Sequence, residues 1–162
     1  MAENDAICNT SPLIYLYRIK ALDWLPHLFG EMWTPDAVAH ELEEGQRRGY
    51  DVPSVANYPW LQVKVPSNPL PPDRYPALGQ GEVAAISLTL EYPGRIVLLD
   101  DAAARRAAEN AGCVVWGTLR VVLEAKSQGI IPAVAPTVEA LRRSGMWISD
   151  AVVQRILSLA QE

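Results

Sequence analysis

Apolar and polar positions along the chain alternate between two periods. Ala6-Ile7-Cys8 is a short apolar run ending at Asn9-Thr10-Ser11-Pro12, where Thr10 or Ser11 can cap a helix that accepts Pro12 in its first turn. Leu13, Ile14, Leu16 and Tyr17 form the apolar face of that helix. Leu22, Leu25, Leu28 and Phe29 repeat the three- and four-residue spacing in a second helix, which Pro26 shortens or kinks. Met32-Trp33 leads into Thr34-Pro35, a cap followed by proline at the first helical position, and a helix runs from Asp36 to about Glu44 with Val38 and Leu42 inward and Gly45 ending it. Leu61 to Val65 alternates as an edge or half-buried strand does.

Five prolines between residues 66 and 76 predict a loop; the 65 residues before it would make a marginal domain, so it is not a domain linker. Gly79-Gln80-Gly81-Glu82 opens a helix with Val83, Ile86, Ser87 and Leu90 on one face. After Gly94, the run Arg95-Ile96-Val97-Leu98-Leu99 reads as a buried strand delivering Asp100 and Asp101 to its carboxyl end, with an alanine-rich helix following until Gly112. Cys113 to Trp116 is the next strand, and Gly117-Thr118 starts a helix bearing Leu119, Val122 and Leu123. A helix with Val134, Val138 and Leu141 follows Pro132, and Ser149 caps a last one whose face is Val152, Ile156 and Leu159. This repeated strand-helix order predicts an α/β protein with a central, mostly parallel sheet covered on both sides, a three-layer α/β/α sandwich formed by residues 1–162 as one domain.

Composition narrows the class. With 49% hydrophobic and 20% charged residues the chain is core-forming, and its net charge of -5 predicts no broad attraction to a nucleic acid backbone, although a local basic patch is compatible with that sum. Cys8 and Cys113 stand in apolar surroundings without CxxC or histidine spacing, which reads as buried thiols in a reducing compartment. No apolar run approaches the roughly 20 residues that span a bilayer, and Met1-Ala2-Glu3-Asn4-Asp5 lacks the positive start of a signal peptide, so the expected location is the cytoplasm and no membrane contact is expected.

Four acids stand at strand-to-helix junctions or beside the apolar side of a helix: Glu41, Glu82, Asp100 and Asp101. Carboxylates converging in a crevice repel unless a cation neutralises them, and all-oxygen ligation suits Mg2+ or Mn2+. Such a site serves phosphodiester hydrolysis. Each acid also has an ordinary reading as a surface or capping group. His27 and His40 offer no zinc spacing, and Gly79-Gln80-Gly81-Glu82 lacks the lysine of a phosphate loop. The five tryptophans are scattered and read as core or interface residues.

The motifs Asn9-Thr10-Ser11-Pro12-Leu13-Ile14, Thr34-Pro35-Asp36-Ala37-Val38-Ala39-His40-Glu41-Leu42, Leu78-Gly79-Gln80-Gly81-Glu82-Val83-Ala84-Ala85-Ile86 and Leu98-Leu99-Asp100-Asp101-Ala102-Ala103-Ala104-Arg105 stand in this order. Together with Gly117-Thr118-Leu119 and the stretch from Glu124 to Pro132 they resemble a toxin-like (VapC-like) PIN-domain subfamily of predicted nucleic-acid-binding proteins. The resemblance implies an α/β/α sandwich, a metal-dependent endoribonuclease (a hydrolase using Mg2+ or Mn2+) acting on RNA, a homodimer, and a toxin-antitoxin pairing with a small antitoxin protein. The alternative it implies is a catalytically weakened PIN-like RNA- or protein-binding module.

By position, the resemblance places the family's first acid on Asn9, its second on Glu41, its third on Glu82 and its last on the Asp100-Asp101 pair, with Asp101 slightly preferred over Asp100. Asn9 supplies an amide oxygen and no negative charge, which predicts weaker metal affinity. Asp5 is a poor substitute, because four residues along a strand displace a side chain by about 13 Å. Thr10 and Ser11 are either hydroxyls beside metal or phosphate, or caps, and both can hold. Arg105 can meet substrate phosphate, bind Glu82 or a backbone carbonyl, or pair with Asp101 within its helix. Arg106 and Lys126 are expected in solvent.

Overall fold

The structure is a computed structural model and describes residues 4–162; Met1, Ala2 and Glu3, on which the signal-peptide reading partly rests, lie outside them. Five strands form one parallel sheet: β1 (Ala6–Cys8), β2 (Met32–Pro35), β3 (Leu61–Lys64), β4 (Ile96–Leu98) and β5 (Val114–Trp116), in the order β3-β2-β1-β4-β5. The helices are α1 (Thr10–Arg18), α2 (Leu25–Leu28), α3 (Asp36–Arg47), α4 (Gln80–Glu91), α5 (Ala102–Asn110), α6 (Thr118–Ser127), α7 (Ala135–Arg143) and α8 (Asp150–Leu159).

The pleat sorts the strand residues into two cores. Ala6, Cys8, Met32, Ile96 and Leu98 face one side, where Leu13 and Leu16 of α1, Leu25 of α2, Val38 and Leu42 of α3, and Val121 and Ala125 of α6 cover them. Ile7, Trp33, Val97 and Leu99 face the other, beneath Ala85, Ile86 and Leu88 of α4 and Ala104 and Ala108 of α5. This is the three-layer α/β/α sandwich with a parallel sheet that the strand-helix alternation predicts. A smaller cluster of Val122, Val134, Val138, Leu141, Ile148 and Ile156 joins α7 and α8 to α6.

Several local expectations are corrected. Thr34 and Pro35 belong to β2; Pro35 stands at the N-cap position of α3 with no side-chain cap, and the Thr34 hydroxyl donates to the Cys8 carbonyl at 2.8 Å, tying β2 to β1. Helix α3 passes through Gly45 to Arg47, because the bare backbone there admits Val52, whose Cγ2 would lie 3.2 Å from a Cβ built at Gly45. Phe29 lies just past α2 with extended backbone. Leu90, Val152 and Leu159 are exposed; α4 buries the expected Val83, Ile86 and Ser87 and adds Ala85, Leu88 and Thr89, while of the expected α8 face Ile156 is buried. Ser149 does cap α8, accepting the Val152 N–H at 3.2 Å.

Lys126 is also corrected. Its ammonium donates to the Ala160 carbonyl at 2.5 Å and lies 2.9 Å from the Glu162 carboxylate, which in turn accepts the N–H groups of Val134 at 2.7 Å and Ala135 at 3.1 Å. The expected solvated lysine is thus a clasp closing α6 on the start of α7. Among the tryptophans, Trp33 is buried with the Arg95 guanidinium 3.3 Å from its ring centroid, Trp116 packs edge-on to Phe29, and Trp147 is 86% exposed. No helix of the described residues is long and apolar enough to cross a membrane.

Candidate acidic site at the carboxyl ends of β1 and β4

Strand order fixes where a site can form. From β1 the sheet grows one way through β2 and β3 and the other way through β4 and β5, so the chain leaves β1 toward one face as α1 and leaves β4 toward the opposite face as α5. The divergence opens a crevice beyond the carboxyl ends of these two strands, the place where open α/β sheets bind ligands. Asn9 follows the end of β1 directly, Asp100 and Asp101 follow β4 after Leu99, and the Asn9 N–H donates to the Leu98 carbonyl at 3.1 Å.

Each sequence-predicted residue can be placed. Asn9 is 4% exposed, stands before α1 with extended backbone, and its amide oxygen finds no partner among the described residues. Thr10 does not cap α1, which begins with no side-chain cap; its hydroxyl donates across the crevice to Glu41 Oε2. Ser11, partly buried, lies beside it in the first turn. Glu41 Oε1 accepts the Gly81 N–H at 2.9 Å, joining α3 to the first turn of α4. Gly81 permits this approach, since a Cβ there would stand 2.7 Å from Glu41 Oε1. Glu82, one residue on, turns back to the Gly79 N–H at 2.9 Å.

The acidic pair divides. Asp101 caps α5 by accepting the Ala104 N–H at 3.0 Å. Asp100 points to α6, accepting the Thr118 N–H at 2.8 Å and its hydroxyl at 2.7 Å. Arg105 takes the backbone-carbonyl option among its readings: its Nη1 donates to Leu99 at 3.0 Å, and it makes no ion pair with Asp101. Gly117 makes room for it, because a Cβ at that position would lie 2.5 Å from Arg105 Nη1 and 3.2 Å from Asp100 Oδ1. Asp5 is far from this crevice in role as well as register; its Oδ1 accepts the Glu31 N–H at 2.7 Å at the other end of β1.

Charge follows the geometry. Burial pushes the Glu82 carboxyl up, and the negative charges of Asp101 and Glu41 push it further, against the pull of the Gly79 N–H. Three of the four acids therefore share one field. Burial also raises Asp100, opposed by its Thr118 bonds and the Arg105 guanidinium. Burial and the Asp100 charge hold the Cys8 thiol well above its ordinary value, so it is an inert core thiol.

A divalent ion would need these oxygens turned to a common point. Among the described residues no group of three or more His, Cys, Asp or Glu side chains is arranged to hold one. The carboxylates are directed at the chain's own N–H and hydroxyl donors, and the arrangement as it stands does not fit a preformed metal centre. Thr118 and the Gly81 N–H are the partners that sequence reasoning missed. The first was legible only as a helix start, and a backbone donor has no sequence signature at all.

No curated protein and no solved structure matches the chain significantly. The family model described as DUF3368, PIN domain, matches residues 5–162, nearly the whole chain. With that match spanning every strand and α-helix of the described residues, the chain belongs to the PIN-domain superfamily, within the DUF3368 family.

Proposed function

We propose that this protein is a catalytically weakened PIN-like module that binds RNA and turns it over poorly. The observation that supports this reading is the commitment of the carboxylates: Glu41, Glu82, Asp100 and Asp101 each accept a hydrogen bond from the chain itself, and Asn9 stands uncharged at the first-acid position implied by the family resemblance. Each such bond fixes the orientation of its carboxylate and draws on its charge, although Glu82 and Asp101 each keep a second oxygen without a protein donor. Asp100, paired on both oxygens, is on this reading a positioning residue that fixes the end of β4 against α6. RNA as the ligand rests on PIN-domain membership and on the crevice at the strand ends.

A second reading, a metal-dependent endoribonuclease using Mg2+ or Mn2+, draws support from the shared field of Glu41, Glu82 and Asp101, which a cation would relieve. Cytoplasmic location, a homodimer and an antitoxin partner of a VapC-like toxin accompany that second reading. Both are tested by incubating a labelled mixed-sequence RNA with wild type, Glu82→Gln and Asp101→Asn, with and without Mn2+, and reading anisotropy and cleavage together. Binding with little turnover is the expected result. Efficient metal-dependent cleavage lost in both variants would establish the nuclease instead, and absence of both binding and cleavage would overturn the two readings.

A further inference from the structure

The acidic crevice continues into an open cleft of about 750 Å3 between α1 and α3, floored by Ile14 and Val52. Glu41 and Gln80 line the end that meets the site, while Arg47, Arg48 and Tyr50 line the other. From Glu41 to Arg47 the helix rises about 9 Å. Nothing in the acidic site itself uses these three residues.

Their arrangement suits a single strand of nucleic acid. Tyr50 is 60% exposed, an unusual place for a large ring unless it meets a partner, and it is held there by the backbone. Its N–H donates to the Gly45 carbonyl at 2.9 Å and its carbonyl accepts the Val52 N–H at 3.0 Å. The ring lies beside the bare backbone of α3, with Cδ2 3.8 Å from where a Gly45 Cβ would stand. Arg47 and Arg48 share one carboxylate, Glu44, at 3.3 Å and 3.0 Å, so the trio keeps a net positive charge. Both arginine side chains are more than half exposed. Asp36 and Glu41 place negative charge along the cleft toward α4, which leaves the basic end as the place for a phosphate and the aromatic as the place for a base.

We infer that this cleft is the track for single-stranded RNA flanking the acidic site, with Tyr50 as a base-stacking platform and Arg47 and Arg48 as its phosphate contacts. The inference rests on the RNA-binding reading and deepens it by assigning the strand's path. It is compatible with the chain's net charge of -5, since only a local basic end is needed.

The test is fluorescence anisotropy of a fluorescein-labelled single-stranded RNA of about twelve nucleotides with wild type, Tyr50→Ala, Tyr50→Phe, the double variant Arg47→Glu/Arg48→Glu, and Arg143→Glu on the exposed face of α7 as control. Circular dichroism melts confirm that each variant is folded. Tyr50→Ala is expected to weaken binding about tenfold while Tyr50→Phe binds as wild type does. The arginine pair should weaken it by more than tenfold and flatten the dependence on salt by about one phosphate contact or more. Arg143→Glu should change little. Wild-type binding that survives both the Tyr50→Ala and the arginine changes would overturn the cleft and leave the RNA-binding reading intact. Equal losses in Tyr50→Phe and Tyr50→Ala would overturn the stacking role, and no wild-type binding at all would overturn the RNA-binding reading with it.

Discussion

Glu41 Oε1 accepts the Gly81 N–H at 2.9 Å, so two helices forty residues apart in the chain meet through one carboxylate and one backbone donor. The bond exists because residue 81 has no side chain; a Cβ would stand 2.7 and 2.9 Å from the two carboxylate oxygens. Gly81→Ala should therefore displace Glu41 without unfolding the protein. The alanine gains up to about 1 kcal/mol of helix propensity, while the lost bond costs roughly 0.5–1.5 kcal/mol. The expected outcome is a melting temperature within a few degrees of wild type together with a clear drop in RNA binding or cleavage, measured on the same preparation. An unchanged activity would show that Glu41 has no part in the site.

Asn9 carries the next expectation. Its buried amide oxygen has no partner among the described residues, and Asp in its place would add an uncompensated charge to the crevice. Asn9→Asp should lower metal-free stability by on the order of 1–3 kcal/mol and strengthen Mn2+ binding. Thermal denaturation and calorimetry with and without Mn2+ read both effects. Equal Mn2+ responses in variant and wild type would remove Asn9 from any ion's surroundings.

Glu82 sets a pH dependence with a definite sign. Its carboxyl is raised in the folded protein by burial and by Asp101 and Glu41, so the unfolded chain releases this proton first. Stability from this group is present at low pH and is lost as the pH rises through the carboxylate range. Glu82→Gln keeps an oxygen for the Gly79 N–H and removes the charge. The variant should melt a few degrees above wild type at pH 7, and the gap should close on acidification below the unfolded carboxylate value of about 4.3. A gap that widens on acidification would contradict the shared field.

Glu162 behaves in the opposite sense. The Val134 N–H and the Lys126 ammonium lower its carboxyl to about 2. Its stabilisation is present above the unfolded value and is lost as the pH falls through about 2. Glu162→Gln should melt a few degrees below wild type at pH 7, with the difference shrinking as both are acidified from about 4.3 downward. A difference independent of pH would mean that the clasp works through packing and not through charge.

Much of the architecture was legible in the chain. The unbroken apolar runs Ala6-Ile7-Cys8 and Ile96-Val97-Leu98-Leu99 belong to strands buried on both faces, and the two cores divide their residues alternately. Where the reading failed, a neighbour outweighed local preference. Thr34-Pro35 looks like a helix start, yet β3 draws it into the sheet, Thr34 opposite Val63 and Pro35 opposite Lys64, while pairing with β1 stops at Trp33 and leaves the proline's missing donor without a ladder partner there. Gly45 looks like a helix end, yet Val52 packs on it and the helix continues.

The acids show the same boundary more sharply. Taken alone, the sequence determined the fold class, the residues at the strand ends, and the uncharged Asn9 among them, because residue type and period are local properties. The Asp101 cap on α5, a local bond three residues long, lies within the capping reading, whereas the sequence could not determine that Asp100 turns to Thr118 or that Glu41 reaches Gly81. Those choices depend on which backbone N–H groups the packed helices leave unpaired at the crevice. Every residue but proline carries such a donor, so only the tertiary structure decides which carboxylate meets which.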